Sequence, residues 1–309
     1  MVQKFTILDG GMGRELQRMG APFQQPEWSA QALIEDPSWV VRAHQNFIDA
    51  GAQIITVNSY ACVPFHLGDI LFQEQGAQLI HLAAKIARDV VSKNTDKDCL
   101  VAGCLPPVFG SYRPDLFDSA HAQEILQVLI ENQLEYVDFW QLETTSSIEE
   151  MQATLQALND FDPKGLERRV SFTLIDDPDQ EPCLRSGESV KSIMETISTS
   201  HVSSILFNCS VPEVMENAIQ VVKQALRNKE GHKKIKIGVY PNAFTPIGEK
   251  HIANGNLQQL REITPQDYQN LAKKWLEAGA SIIGGCCGIT PSHIATLTQL
   301  QGCDDGKKC

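Results

Sequence analysis

Asp49-Ala50-Gly51-Ala52-Gln53-Ile54-Ile55 and, near the other end of the chain, Glu277-Ala278-Gly279-Ala280-Ser281-Ile282-Ile283 follow one pattern. In each, a polar helical stretch ends at a glycine able to take the left-handed C′ conformation, and a short β-branched run begins at once. This is a helix feeding a buried strand. The unit recurs: apolar runs fall at residues 5–8, 54–58, 100–104, 136–142, 170–175, 204–207, 235–240 and 281–285. Helical periodicity fills the intervals, clearest at 75–91, 120–134, 147–158, 189–199, 212–226 and 264–277. The runs lack strict alternation of apolar and polar residues, as strands covered on both faces should. Eight strands alternating with helices predict an α/β fold in which a parallel sheet closes into a (β/α)8 barrel of the TIM type.

The chain has 309 residues, 42% hydrophobic and 21% charged, within the ordinary range for a globular protein. Its formal net charge of −12 argues against nucleic acid, which recruits basic stripes. No apolar stretch is long enough to cross a bilayer, and the first residues lack a signal-peptide core, so a cytoplasmic protein without membrane partners is expected. Nine cysteines at irregular spacing do not resemble a secreted disulfide framework. No linker divides the chain, so residues 1–301 are expected to form one barrel domain, with 302–309 a short polar tail. Segments 21–31, 105–118, 176–187 and 241–261 follow predicted strands, at the rim where barrel enzymes build their sites.

Three cysteines stand at that rim. Cys209 follows Leu206-Phe207-Asn208, and Cys286-Cys287 lie within Gly284-Gly285-Cys286-Cys287-Gly288. Regular β geometry would point Cys286 and Cys287 to opposite faces, but the flanking glycines relax that constraint. The ends of the sixth and eighth strands are two strands apart on a closed rim, so three thiolates can converge on zinc and leave a fourth position open. Two other fates compete: buried cysteine as a small hydrophobe, which also suits Cys99, Cys104 and Cys183, and a strained vicinal disulfide between Cys286 and Cys287.

Asp9-Gly10-Gly11-Met12-Gly13, Asn208-Cys209 and Gly284-Gly285-Cys286-Cys287-Gly288, each on its own strand end, resemble the homocysteine S-methyltransferase family. Glu143-Thr144 and Tyr240-Pro241-Asn242 also fall where that family has motifs. The resemblance extends from Asp9 to about His293 and implies zinc held by Cys209, Cys286 and Cys287. It further implies homocysteine and a methyl donor as substrates, with methionine as product. An alkyl thiol titrates near ~8.5 and is mostly protonated at neutral pH. Coordination removes the proton while leaving the sulfur able to attack.

By the same resemblance Glu143 would bind the substrate amino group. Its competing role is to border a helix capped by Ser146 and Glu149. Asp9 is either a substrate ligand or a turn residue, and Gly10 and Gly11 would let backbone N–H groups approach the substrate carboxylate. Asn242 matches an asparagine that some members place near the metal as a weak, displaceable ligand; a turn role is the alternative.

For the methyl donor, S-methylmethionine is expected, with S-adenosylmethionine secondary. Corrinoid and folate donors call for further domains, and the betaine branch has a long extension and a tyrosine where this chain has Thr144. A corrinoid or folate donor delivered by a partner, and betaine, remain alternatives. Tyr60, Phe65, Tyr112 and Phe244 lie in predicted rim loops where aromatic faces attract a cation. A zinc hydrolase on the same fold is the rival from another class, but the eight histidines are scattered rather than clustered at strand ends.

Overall fold

The computed structural model describes residues 4–197, 202–227, 235–248 and 258–301. The tail 302–309, the last two residues of the helix expected at 189–199, much of the loop 241–261, and His201, His232 and His251 lie outside the described residues. Eight parallel strands form one sheet: β1 Thr6–Ile7, β2 Ile54–Thr56, β3 Leu100–Leu105, β4 Phe139–Thr145, β5 Arg168–Phe172, β6 Val202–Asn208, β7 Lys236–Tyr240 and β8 Ile282–Ile283. From β2 to β8 each strand pairs with the next in sequence, and β1 pairs with β8. The remaining seam, β1 to β2, is bridged by Leu8 and Ile54. There Gln53 N–H donates to the Ile7 carbonyl (2.8 Å) and Asp9 N–H to the Ile54 carbonyl (3.0 Å). The sheet closes into the expected barrel.

The repeated helix–glycine–strand unit is built as its sequence requires. Gly51 has φ +100° and Gly279 φ +130°, conformations that a side chain resists. The next N–H reaches back into each helix, Ala52 to the Phe47 carbonyl and Ala280 to the Trp275 carbonyl. Helix carbonyls are thus satisfied just before the chain enters β2 and β8.

Two apolar layers result. Leu8, Ile54, Ala102, Phe139, Leu206, Tyr240 and Ile282 fill the lumen. The outer faces of the strands pack against the helix ring, where Phe47, Trp140, Tyr268 and Trp275 are fully buried. Polar groups in the lumen pair with one another: Gln141 Nε2 donates to the Tyr240 hydroxyl (2.9 Å) and also meets Ser171 Oγ.

Two strands are displaced from their expected positions. β5 begins earlier, at Arg168, because both arginines hide their charge. Arg168 bonds Asn159 Oδ1 (2.8 Å), and the Arg169 guanidinium lies 3.8 Å from the Phe139 ring centroid. β4 runs later than expected, through Glu143 to Thr145, with an irregular register between Leu142 and Thr145. Among the described residues no helix is long and apolar enough to cross a membrane.

Candidate active site

The strand ends at one mouth of the barrel surround a cavity of about 220 Å3. Cys209, the residue after β6, has φ +48°, a left-handed conformation that costs a non-glycine residue about 1–2 kcal/mol. That turn brings its thiol to the mouth. Beyond β8, Gly284 N–H donates to the Val239 carbonyl and Gly285 N–H to the Asp9 carbonyl, so the chain runs on between β7 and β1. Cys286 N–H then bonds the Pro241 carbonyl (2.8 Å), and the Cys287 carbonyl accepts from Ala243 N–H (2.8 Å). An added side chain at Gly11 would stand 2.5 Å from the Cys286 carbonyl oxygen; only glycine admits this approach.

As expected, the three sulfurs converge, with all three within 4.8 Å of one another. Cys209 and Cys286 are paired as a disulfide with Cα atoms 5.7 Å apart, while Cys287 keeps a free thiol. The vicinal pairing of Cys286 with Cys287 does not occur. Thiolates around a tetrahedral zinc stand about 3.8 Å apart, given Zn–S bonds of about 2.3 Å. The donor type and the convergence fit such an ion once the Cys209–Cys286 pair is reduced and its sulfurs separate.

Two carboxyls face the same cavity. Glu143 Oε2 accepts from the Cys104 thiol (3.2 Å), and the Tyr240 hydroxyl also reaches Glu143. Burial pushes the Glu143 carboxyl up to about 7 despite these donors. Asp9 accepts from Thr56 N–H (2.8 Å) and from the Thr56 hydroxyl (3.2 Å); burial, with the Glu143 charge nearby, pushes it up to about 8. Two acids that hold their protons this strongly form a pole that a cation would stabilise.

The helix cap tests the competing role of Glu143. Ser147, not Ser146, is the N-cap of the helix Ile148–Phe161, accepting from Glu150 N–H (3.1 Å). Glu150, not Glu149, closes the box by accepting from Ser146 N–H (2.6 Å). The cap is complete one residue further along, and Glu143 has no part in it.

Several expected roles change. Gly11 N–H is committed to the Ile289 carbonyl (3.0 Å), which removes it as a carboxylate donor; Gly10 lines the cavity. Asn242 Oδ1 accepts from Phe244 N–H (3.1 Å), and the residue is fully buried away from the cavity lining. It takes the turn role, since its oxygen serves the backbone. Tyr60, Tyr112 and Phe244 line the cavity, whereas Phe65 packs against the core and His66.

Sequence reasoning missed Asn208 as a brace. Its Oδ1 accepts from Thr144 N–H (3.0 Å) and its Nδ2 donates to Thr144 Oγ1 (2.9 Å), holding Thr144 at φ +55° beside Glu143. A buried amide directly before Cys209 was the signal. It missed Arg14 as well, whose guanidinium lines the cavity.

Known proteins share this architecture. Residues 6–300 match the family model described as homocysteine S-methyltransferase. Homocysteine S-methyltransferase 1 of Arabidopsis thaliana is 29% identical over 322 residues, covering 95% of this chain and 92% of that protein. Selenocysteine methyltransferase of Astragalus bisulcatus is 26% identical, covering 96% and 92%. The metallated form of the homocysteine methyltransferase MmuM from Escherichia coli superposes with a TM-score of 0.76 at 26% identity, covering 96% of each chain. With a match of this extent lying over the cysteine trio and its acid pole, the chain belongs to the homocysteine S-methyltransferase family.

Proposed function

We propose that this enzyme transfers a methyl group from a sulfonium donor, S-methylmethionine, to the thiol of homocysteine on a zinc ion held by Cys209, Cys286 and Cys287. The observation that carries the proposal is the placement of three convergent sulfurs and the Asp9–Glu143 acid pole in one cavity. Homocysteine has a thiol at one end and an ammonium at the other, and the cavity offers a partner for each. Zinc held by Cys209, Cys286 and Cys287 would let the homocysteine sulfur bind as a thiolate at neutral pH.

The residues of the chain do the rest. Glu143 accepts from the substrate ammonium in place of its own proton, which fixes the sulfur at the metal end. Asp9, tied to Thr56, strengthens the negative field there. Asn208 holds Thr144 and hence the strand end that carries Glu143. Tyr60, Tyr112 and Phe244 line the cavity, an aromatic wall that suits the donor cation and excludes water from the methyl group. In the transfer, the thiolate lone pair forms the new S–CH3 bond. The donor C–S bond breaks and its electron pair stays on the donor sulfur. An anion and a cation become two neutral thioethers, so charge is lost along the path, which a poorly hydrated site favours.

Among the described cavity-lining residues the single histidine is His66, whose Nδ1 lies 3.2 Å from the Pro26 carbonyl; this is unlike a hydrolytic metal cluster. Thr144, where the betaine branch has tyrosine, favours the sulfonium donor. The test is a donor panel on reduced, zinc-loaded enzyme with homocysteine. S-methylmethionine is expected to outpace betaine by at least tenfold, with methylcobalamin and methylfolate near background. Faster turnover with betaine, or with a corrinoid protein, would overturn the donor assignment.

A further inference from the structure

The cavity has a second pole, of opposite sign. Arg14 is carried on the helix Met12–Arg18, just beyond the Gly10-Gly11 turn. Its Nη1 donates to Gln17 Oε1 (2.8 Å) and its Nη2 to the Gln258 carbonyl (3.1 Å), while its Cζ lies 5.8 Å from the Phe244 ring centroid. Among the described residues lining the cavity it is the one lysine or arginine. A guanidinium has five N–H donors, and these two bonds leave others for a ligand.

The two poles have different partners. Asp9 accepts from Thr56 and feels the Glu143 charge, while Glu143 is bonded by Cys104 and Tyr240. Arg14 stands by Phe244 and Gln258, and Arg14, Cys287 and Glu143 all line the one cavity. The acids thus meet residues of the strands β2 and β3, whereas Arg14 meets the loop beyond β7.

Two amino acids must occupy this cavity together, and their head groups cannot share one end. Homocysteine carries its ammonium and carboxylate on the same carbon, so an ammonium at Glu143 keeps its carboxylate at the acidic end too. In-line transfer places the donor sulfur on the far side of the methyl group from the attacking sulfur, and the donor's head group extends further still. We propose, building on the sulfonium reading above, that Arg14 is the specificity-determining residue that binds the carboxylate of the methyl donor, so that the enzyme selects amino-acid sulfoniums over sulfoniums lacking a carboxylate. The planar guanidinium suits a carboxylate, which can accept two parallel N–H bonds. Phe244 beside it faces the adjacent sulfonium.

The test compares wild type, Arg14→Gln and Arg14→Lys in the reduced, zinc-loaded protein, using S-methylmethionine and trimethylsulfonium as donors. Arg14→Gln is expected to raise the KM for S-methylmethionine at least tenfold while moving the homocysteine KM less than threefold. The preference for S-methylmethionine over trimethylsulfonium should fall at least tenfold, and Arg14→Lys should recover part of it. A homocysteine KM that rises instead, or equal losses with both donors, would overturn the assignment. Calorimetric binding of S-methylmethionine reads Arg14 without turnover, and an unchanged Kd in Arg14→Gln would refute it. Failure of the wild type with every sulfonium would instead refute the donor reading on which the proposal rests. Thermal unfolding of both variants identifies any loss of fold, and in that event Arg14→Lys carries the comparison.

Discussion

Replacing Glu143 by glutamine keeps the shape of the side chain and removes its charge, and the structure predicts two effects of opposite sign. The first is on substrate binding. An ion pair lost from a dry site costs about 2–5 kcal/mol. At about 1.4 kcal/mol per tenfold, homocysteine should bind roughly 30-fold weaker or worse. The second is on stability. Burial raises the Glu143 carboxyl from 4.5 to about 7, so the folded protein keeps a proton that the unfolded chain releases. Stability contributed by that proton is full below about 4.5 and declines as pH rises to about 7, beyond which the ionised carboxylate destabilises the substrate-free fold. The rise corresponds to at most about 3–4 kcal/mol, reduced here because Glu143 is partly accessible from the cavity. Glu143→Gln should therefore raise the unfolding midpoint of the substrate-free protein by a few degrees at pH 8 and leave it little changed at pH 4.5. Calorimetric titration with homocysteine and thermal unfolding at the two pH values measure both effects. Normal homocysteine binding, or a midpoint that falls at pH 8, would refute the reasoning.

Other interactions at the rim yield further expectations. Asn208→Ala removes both bonds to Thr144 and leaves its N–H buried without an acceptor, so denaturant unfolding should show a loss of about 2–4 kcal/mol; no loss would mean the brace carries no load. Arg185 forms a buried ion pair with Asp176 (2.8 Å), whose carboxylate also accepts from Val211 N–H and Ile247 N–H, joining the loops beyond β5, β6 and β7. Arg185→Met should cost about 3–5 kcal/mol in chemical denaturation by stranding Asp176. The Asp176→Asn/Arg185→Met double variant should recover much of that loss, and additive losses would contradict the pairing.

What the sequence revealed tracks how local each determinant is. The Gly51 and Gly279 turns were legible because the residue that permits a positive φ stands in the sequence beside the helix it ends and the strand it starts. The cysteine trio was legible because few residue types bind soft metals, and the C-terminal ends of barrel strands gather at one mouth. β5 starts two residues ahead of its apolar run because Arg168 and Arg169 enter the sheet, their charges met by Asn159, by Glu167 and by the Phe139 face, partners that an apolar pattern does not reveal. The cap was read one residue early because Ser146-Ser147 and Glu149-Glu150 offer two equivalent registers, and packing of the helix selects one. Arg14 and Asn242 depend on side-chain direction. The first turns into the cavity and the second turns away toward Phe244, and neither direction follows from spacing.

That Cys209, Cys286 and Cys287 hold zinc with a position left for the homocysteine sulfur is tested most directly by X-ray absorption at the zinc edge with parallel metal analysis. Reduced wild-type protein should contain one zinc per chain bound by three sulfurs at about 2.3 Å, and addition of homocysteine should raise the sulfur count to four. Cys209→Ala should lose most of the metal. Equal zinc in wild type and Cys209→Ala, or a sulfur count unmoved by homocysteine, would contradict the account.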